Sequence, residues 1–185
     1  MKLHICCGDV YLQGYINVDI QGNIEHNEIG TTLDNYYTKP FSKTPRQGKD
    51  RNFFPVDLKL NILEPWPWKN NEIDEIVMIK ALEHFTREEA KFVIGEIYRI
   101  LKIGGVFILD FPDIIKTFRK YKNDFNYLTR LIYCTYIDQY SIHKTAYDKK
   151  TIKTLLKENG RKWFIEFKSL VDHDYPTIGV FSIKK

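Results

Sequence analysis

The sequence contains few cysteines and no regular spacing of metal-binding residues. Two of its three cysteines, Cys6 and Cys7, are adjacent, and an odd number cannot form an even set of disulfides. Neighbouring strand residues point to opposite faces, so this pair cannot easily share one metal ion. Neither a CxxC nor an HxxxH spacing supplies the other ligands of a zinc site. We therefore expect no metal, and reduced thiols of the kind typical of the cytoplasm.

Long apolar runs are also missing. The N-terminus has one lysine and then only "LHICC" before a polar turn, which is far shorter than the apolar region of a signal peptide. No run approaches the length that spans a membrane. We therefore expect no membrane partner and a cytoplasmic location. The 185 residues, 43% of them hydrophobic, fit one domain with one core.

Positive charge is only slightly in excess, with a net charge of +4 and a pI near 8.8. A DNA-binding domain normally carries a steeper and more localised positive excess. Hydrophobic periodicity vanishes over residues 21–52, where "TKPFSKTPRQGKDRN" brings prolines, a glycine and basic residues together. We predict an irregular insertion at about 21–52 within a single domain of residues 1–185. Such loops are usually functional or mobile.

The first half of the chain contains several runs of strand length and one clear helical pattern. Residues 3–7 and 15–20 predict two strands joined by the compact connection "GDVYLQG". The segments "FFPVDL" and "IDEIVMI" predict two more. Thr86 and Glu89 form a capping box at the start of "TREEAKFVIGEIYRILKIGG", and its two glycines mark the end of this helix.

The second half continues the alternation and then changes character. The run "VFILDFP" predicts a buried strand, and the apolar spacing within residues 114–140 predicts one or two helices over an edge or cleft. The segment "DKKTIKTLLKENG" predicts a capped helix. The segments "WFIEFKSL" and "TIGVFSIKK", separated by "VDHDYP", predict an antiparallel hairpin. Together these elements indicate an open, mostly parallel sheet with an antiparallel edge.

Four segments in this order, "LHICCG…GYINVD", "IDEIVMIKALEHF", "EIYRILKIGGVFILDFPD" and "HKTAYDKKTIKTLLKENG", resemble the class I S-adenosylmethionine-dependent methyltransferases. They are closest to a small methyltransferase type 11-like group whose sequences run like "LNLGCG…GWINVD", "FDVVYSSHVLEHL" and "LKPGGRLVVVTPD". The resemblance covers nearly the whole chain except the insertion. It implies an α/β, Rossmann-like open twisted sheet of about seven strands, mostly parallel with a C-terminal antiparallel hairpin and helices on both faces. Ligands would lie at the carboxyl ends of its strands.

The resemblance also implies where S-adenosylmethionine binds as the cofactor. Gly8 lets the backbone approach the cofactor closely, and Asp19 can accept both ribose hydroxyls with its two oxygens. Asp57 corresponds to the position that contacts the adenine amino group, with Leu58 as an apolar wall. Without the family resemblance, the alternative interpretation is that Asp19 is an exposed residue at a strand end and that Asp57 is a turn-forming residue. The predicted cofactor-binding residues are Cys6, Cys7, Gly8, Asp19, Ile20, Asp57, Leu58 and Lys80.

Two residues depart from the family pattern. Cys6 stands where the first glycine is usual, and His4 stands where an acid or asparagine is common. Either departure could narrow the pocket for the methionine part of the cofactor. A catalytically inactive module that binds S-adenosylmethionine or a nucleoside is therefore an alternative function. Small buried apolar packing is the other interpretation of both cysteines.

The segment "IKALEHF" places polar side chains over the reacting centre in the resembled family. Methyl transfer is an in-line displacement, so alignment dominates and a base is needed only when the nucleophile holds its proton. His84, with an ordinary pKa of about 6.5, is either that base or a brace for the next helix. Lys80 either pairs with an anionic substrate or is solvated. The predicted catalytic residues are Glu83, His84 and His143, with Pro112 and Asp113 as further candidates to face the substrate.

These features predict a methyltransferase that acts on an oxygen or nitrogen of a small molecule or sugar. Nucleic-acid methylation is the alternative, because basic residues and aromatic rings occur together in the insertion. Against it, the chain lacks an Asn/Asp-Pro-Pro-aromatic motif and a Pro-Cys pair. The missing G-x-G-x-x-G fingerprint argues against a nicotinamide-dependent oxidoreductase. The basic and aromatic residues are Tyr36, Tyr37, Lys39, Phe41, Lys43, Arg46, Lys49 and Arg51.

Overall fold

The computed structural model describes residues 1–38, 51–134, 139–168 and 176–185. Its strands are β1 (Lys2–Ile5), β2 (Ile16–Asp19), β3 (Leu58–Lys59), β4 (Ile73–Ile79), β5 (Leu101–Pro112), β6 (Trp163–Lys168) and β7 (Thr177–Lys184). Its α-helices are α1 (Leu33–Thr38), α2 (Arg87–Ile100), α3 (Ile114–Tyr121), α4 (Phe125–Tyr133) and α5 (Lys149–Lys157). Within these ranges no helix has both the length and the apolar composition needed to cross a membrane.

The strands form one sheet in the order β3-β2-β1-β4-β5-β7-β6. The first five strands pair in parallel, whereas β7 pairs antiparallel with both β5 and β6. The chain runs outward from β1 through β2 to β3 and then returns to β4 on the other side of β1. The point where strand order reverses therefore lies between β1 and β4, and ligands of open α/β sheets bind at this point. The predicted fold class is confirmed.

Helices α2 and α5 cover one face of the sheet and bury the main core. The capping box starts α2 as predicted: Thr86 Oγ1 accepts a hydrogen bond from the Glu89 amide at 3.3 Å, and Glu89 Oε2 accepts one from the Thr86 amide at 2.7 Å. The side chains of Val93, Ile94 and Ile97 then point into the core and are fully buried. Because α2 links β4 to β5, its packing fixes the relative positions of the two strands at whose ends the candidate site lies.

The other face carries a smaller apolar cluster that includes α1. Tyr36 and Tyr37 are buried there against sheet residues Val77, Ile79 and Ile108. The sequence pattern missed this helix inside the predicted insertion, because six residues are too few to show helical periodicity. The burial of both tyrosines corrects the idea that their rings offer stacking surfaces for nucleic acid. The predicted partners Lys39, Phe41, Lys43, Arg46 and Lys49 lie outside the described residues, as does the side chain of Arg51.

Several predicted boundaries are wrong. Strand β1 ends at Ile5, so Cys6 and Cys7, which were predicted as strand residues, lie in the turn after it. Of "FFPVDL" only Leu58 belongs to a strand: a 3₁₀ turn covers Arg51–Phe53, and the two residues of β3 pair with β2. Helix α2 ends at Ile100 rather than at the two glycines, because Leu101 already pairs with Ile73 as the first residue of β5. The register then shifts before Val106 pairs with Glu75, so the glycines belong to an irregular stretch of strand. Residues 169–175, which connect β6 to β7 in the sequence, lie outside the described part of the chain.

Candidate active site at the carboxyl ends of the parallel strands

The turn after β1 adopts backbone conformations that suit a close approach by a ligand. Cys6 and Gly8 both have a φ of +53°, in the left-handed region. A Cβ atom placed on Gly8 would meet no atom within 4 Å, so the space over this residue is open. Cys6 thus adopts a left-handed conformation that glycine adopts without strain, at a cost of about 1 kcal/mol for its side chain.

Asp19 is held at the end of β2 with its carboxylate against this turn. Its Oδ2 accepts a hydrogen bond from the Gly8 amide at 2.9 Å, and its Oδ1 accepts one from the Gln21 amide at 3.3 Å. Each carboxylate oxygen has a second lone pair, so the bonds to the backbone leave capacity for two hydroxyl donors. The carboxylate and the open space over Gly8 therefore fit the ribose of an adenosyl cofactor.

Asp57 is engaged in bonds within the protein. Its Oδ1 accepts a hydrogen bond from the Tyr11 hydroxyl at 2.7 Å, and its Oδ2 accepts one from the Asn17 amide at 2.7 Å. Although desolvation opposes the effect, these bonds lower the pKa of Asp57. Leu58 is half-buried and packs against the main core. Contact of Asp57 and Leu58 with adenine stays a prediction.

Asn17 holds the turn together, and the sequence analysis missed it. This fully buried side chain accepts a hydrogen bond from the Leu12 amide at 2.8 Å and donates to the carbonyl oxygens of Leu12 and Tyr15 at 3.0 and 3.1 Å. His4 donates to the same Asn17 oxygen from Nδ1 at 3.1 Å. His4 is thus part of this buried network. A polar residue between Ile16 and Val18, in a strand that had to be buried, was the available signal.

The cysteines are packing residues in this structure. Cys6 is half-buried and packs against the main core, and the Cys7 side chain is buried. Burial raises the pKa of both thiols, and the nearby charge of Asp19 raises them further. Neither they nor Cys134 forms a disulfide bond. Ile20 is half-buried beside Asp19, and contact of Cys6, Cys7 and Ile20 with a cofactor stays a prediction.

The three predicted catalytic residues converge beyond the end of β4. Glu83 and His84 follow that strand in a 3₁₀ turn, and His143 arrives from the segment before α5. His143 Nε2 lies 3.9 Å from Glu83 Oε1, and the two imidazole rings are in edge contact with centroids 4.8 Å apart. The backbone amides of Lys144 and Thr145 donate to the Glu83 carbonyl and fix the two segments together. Residues about 60 positions apart thus form one cluster.

Glu83 is a buried carboxyl group whose side chain accepts no hydrogen bond from the described residues. It is 3% exposed, and within the described ranges neither Oε1 nor Oε2 has a hydrogen-bond partner. Burial raises the pKa of Glu83 to about 7, and the neighbouring His143 opposes the rise. An unpartnered buried carboxyl group is costly, and such groups are typical of functional sites.

Lys80 and Asp110 complete the polar surroundings of this cluster. The Lys80 amide donates to the Asp110 carbonyl at 2.7 Å, and Lys80 has a left-handed φ of +49°. Burial raises the pKa of Asp110 to about 6, and the Lys80 ammonium opposes this rise and that of Glu83. Lys80 therefore lies near two buried acids and is not simply solvated. The sequence analysis missed Asp110, whose signal was an acid inside the apolar run "VFILDFP".

A small cavity opens beside Glu83 and His143. Helices α3 and α4 provide its apolar wall. They are the two helices predicted within residues 114–140 to cover an edge or cleft. Pro112 lines it, whereas Asp113 caps α3 by accepting a hydrogen bond from the Lys116 amide at 3.0 Å. Asp113 therefore has a structural role and does not line this cavity. The lining residues are Glu83, Phe111, Pro112, Ile114, Thr117, Leu131, Ile132, His143, Thr145, Ala146 and Tyr147.

Comparison with solved structures places this fold among known methyltransferases. A S-adenosylmethionine-dependent methyltransferase from Archaeoglobus fulgidus is 16% identical, with 99% of this chain and 85% of that chain covered and a TM-score of 0.56. The PH0226 protein from Pyrococcus horikoshii OT3 is 15% identical, with 100% and 83% covered and a TM-score of 0.55. A S-adenosylmethionine-dependent methyltransferase from Aquifex aeolicus is 14% identical, with 71% and 56% covered and a TM-score of 0.45. At these identities the likeness is one of fold.

The family assignment comes from the sequence itself. A family model described as "Methyltransferase domain" matches residues 4–109, which is more than half of the chain. The chain belongs to this methyltransferase domain family, whose cofactor is S-adenosylmethionine. It spans less than two thirds of the length of several methyltransferase structures that it resembles. A comparison with curated proteins finds no match.

Proposed function

We propose that this chain binds S-adenosylmethionine at the ends of β1 and β2 and transfers its methyl group to an oxygen or nitrogen of a small molecule or sugar. The observation that carries the proposal is the arrangement at the switch point. A carboxylate fit for a ribose and an open glycine turn lie on one side, and an acid with two imidazoles lies on the other. Burial raises the pKa of the Cys6 thiol, and the carboxylates of Asp19 and Glu83 both raise it further, so the two acids lie in the surroundings of one residue.

When bound, S-adenosylmethionine supplies an electrophilic methyl group on a sulfonium centre. Asp19 accepts hydrogen bonds from the ribose hydroxyls, and the bare backbone of Gly8 allows the close approach. The cavity beside α3 and α4 holds the acceptor and keeps water from it. His143, which lines the cavity, takes the proton of an acceptor hydroxyl or amine, and His84 packs against its ring. Most of the rate enhancement then comes from alignment of the two reactants.

The small size and apolar wall of the cavity support a small acceptor. Nucleic acid would need an exposed stacking and basic surface, and the burial of Tyr36 and Tyr37 removes two of the rings suggested for it. The alternative of an inactive binding module rested on His4 and Cys6. The His4 side chain bonds to Asn17, and Cys6 has a left-handed φ of the kind that glycine adopts without strain, so neither residue argues against methyl transfer.

Calorimetric titration of the purified chain tests the cofactor half of the proposal. We expect binding of S-adenosylmethionine and S-adenosylhomocysteine but not of NAD. Asp19→Asn keeps an oxygen for the Gly8 amide but loses the charge that strengthens the hydroxyl bonds. We expect it to weaken binding by about 10- to 100-fold, the equivalent of about 1.5–3 kcal/mol. Asp74→Asn is the matched control, because Asp74 is an exposed acid at the opposite end of β4.

Screening of acceptors with labelled S-adenosylmethionine tests the other half. Hydroxyl- and amine-bearing metabolites and sugars form one panel, and RNA and DNA form another. Transfer to the first panel that is lost in Asp19→Asn supports the proposal. Tight NAD binding, or equal affinity of the Asp19 and Asp74 variants for S-adenosylmethionine, would contradict it. Transfer to the nucleic-acid panel alone would favour the alternative acceptor.

A further inference from the structure

The cluster of Glu83, His84 and His143 has the composition and spacing of a metal site. One potential ligand atom from each residue lies within 4.8 Å of the other two. Three atoms with this spacing all lie within 4.8/√3, about 2.8 Å, of a common point. Zinc binds imidazole nitrogen and carboxylate oxygen at about 2.0–2.2 Å. Each side chain therefore needs to move by less than about 1 Å to reach ligand distance, a change that rotamer adjustment can supply.

The two imidazoles are oriented as metal ligands usually are. His84 Nδ1 donates a hydrogen bond to the Ile142 carbonyl at 3.1 Å, and His143 Nδ1 donates one to the Ile132 carbonyl at 3.1 Å. A donating Nδ1 leaves the lone pair of the neutral ring on Nε2. In His143 this Nε2 atom is the one that faces Glu83. Backbone carbonyls that hold the second ring nitrogen are a recurrent feature of metal-binding histidines.

The independent observation is the carboxylate. Glu83 is 97% buried, and in the part of the chain that the structure describes both side-chain oxygens lack a hydrogen-bond partner, although Oε1 lies 3.9 Å from His143 Nε2. Ligation would satisfy a group that nothing else in the described structure satisfies.

We propose that Glu83, His84 and His143 bind a divalent first-row transition-metal ion, with an open coordination position toward the cavity beneath α3 and α4. Two nitrogens and one oxygen suit zinc, manganese or iron better than magnesium, which prefers oxygen ligands. The sequence predicted no metal because it lacks short spacings such as CxxC and HxxxH. This cluster has no such spacing, since it forms only when the loop after β4 meets the segment before α5 in the fold. The inference goes beyond methyl transfer and does not depend on it. When the ion is bound, the Nε2 lone pairs of both histidines are used for ligation, so the base role proposed above belongs to the metal-free state.

Metal binding can be measured without any activity. The tag-free chain is stripped with a chelator, dialysed, and titrated calorimetrically with Zn²⁺, Mn²⁺ and Mg²⁺, and bound metal is counted by elemental analysis. We expect about one Zn²⁺ or Mn²⁺ per chain and much weaker binding of Mg²⁺. Glu83→Gln, His84→Gln and His143→Gln should each weaken Zn²⁺ binding by at least about 10-fold. His26→Gln, which removes a half-buried imidazole far along the chain from the cluster, should leave it unchanged.

Circular dichroism and thermal unfolding in chelator establish that each variant is folded. His84 and His143 are both half-buried, so their variants serve if Glu83→Gln does not fold. Binding by the wild type that the cluster variants lose and His26→Gln keeps would support the site. Absence of Zn²⁺ and Mn²⁺ binding up to millimolar concentrations would overturn it. Binding that all folded variants retain would likewise overturn it and indicate a different location for the ion.

Discussion

The buried imidazole of His4 should make the fold less stable in mild acid. Burial lowers the pKa of His4 from 6.5 to about 4, and the hydrogen bond to Asn17 offsets this only in part. The unfolded chain therefore binds more protons than the native chain between these two pH values. The contribution of neutral His4 to the free energy of unfolding is fully present above pH 6.5 and is lost as the pH falls toward 4. The difference of about 2.5 in pKa corresponds to about 3 kcal/mol, of which about 2.5 kcal/mol is lost by pH 4.5.

Urea unfolding followed by circular dichroism at pH 7.5, 6.5, 5.5 and 4.5 measures this loss. His4→Leu removes the titrating group, while the Leu12 amide still donates to Asn17. The acids of the protein titrate in both chains, so the difference between their pH profiles isolates His4. We expect the variant profile to be flatter by about 2.5 kcal/mol at pH 4.5. His26→Leu is the control. Parallel profiles for wild type and His4→Leu would refute the reasoning.

Three further changes test the fold around the site. Asn17→Ala leaves several buried backbone groups without partners and should cost about 3–5 kcal/mol in urea unfolding, whereas Asn61→Ala, whose hydrogen bonds are exposed, should cost under about 1 kcal/mol. Thr86→Ala removes half of a capping box and should lower the free energy of unfolding by about 1 kcal/mol, and an unchanged thermal midpoint would argue against the cap. Ile97→Ala creates a cavity between α2 and the sheet and should cost about 2–5 kcal/mol, with a smaller loss indicating that the core collapses around it.

The parts of the fold that were predictable carry their signals locally. The two capping residues of each helix are close in the sequence: Thr86 and Glu89 for α2, and Asp148 and Thr151 for α5. The apolar run of β4 has the length of a buried strand. Their starts follow from the sequence alone. In contrast, β3 consists of two residues, and α1 of six, and tertiary contacts rather than periodicity hold both. The two glycines predict that α2 continues up to them. The helix ends earlier, at Ile100, because Leu101 pairs with Ile73.

The site shows the same division. The motif "IKALEHF" and the lone His143 could each be identified as candidates, because the family resemblance aligns them with reacting positions. Their meeting within 4 Å depends on a contact across about 60 residues, which no local pattern specifies. The role of Asn17 was hidden for a related reason. Its bonds replace a connecting helix, and a missing helix gives no positive signal in a sequence.

The connection between β1 and β2 is only ten residues long, whereas parallel strands are usually joined by a dozen or more with a helix. Asn17 ties this connection to Asp57 and, through His4, to β1. The turn, strands β2 and β3, and Asp19 should therefore open and close as one cooperative unit. Occupation of the crevice would then slow hydrogen exchange across all three together, so the cofactor itself becomes part of what keeps this edge of the sheet folded.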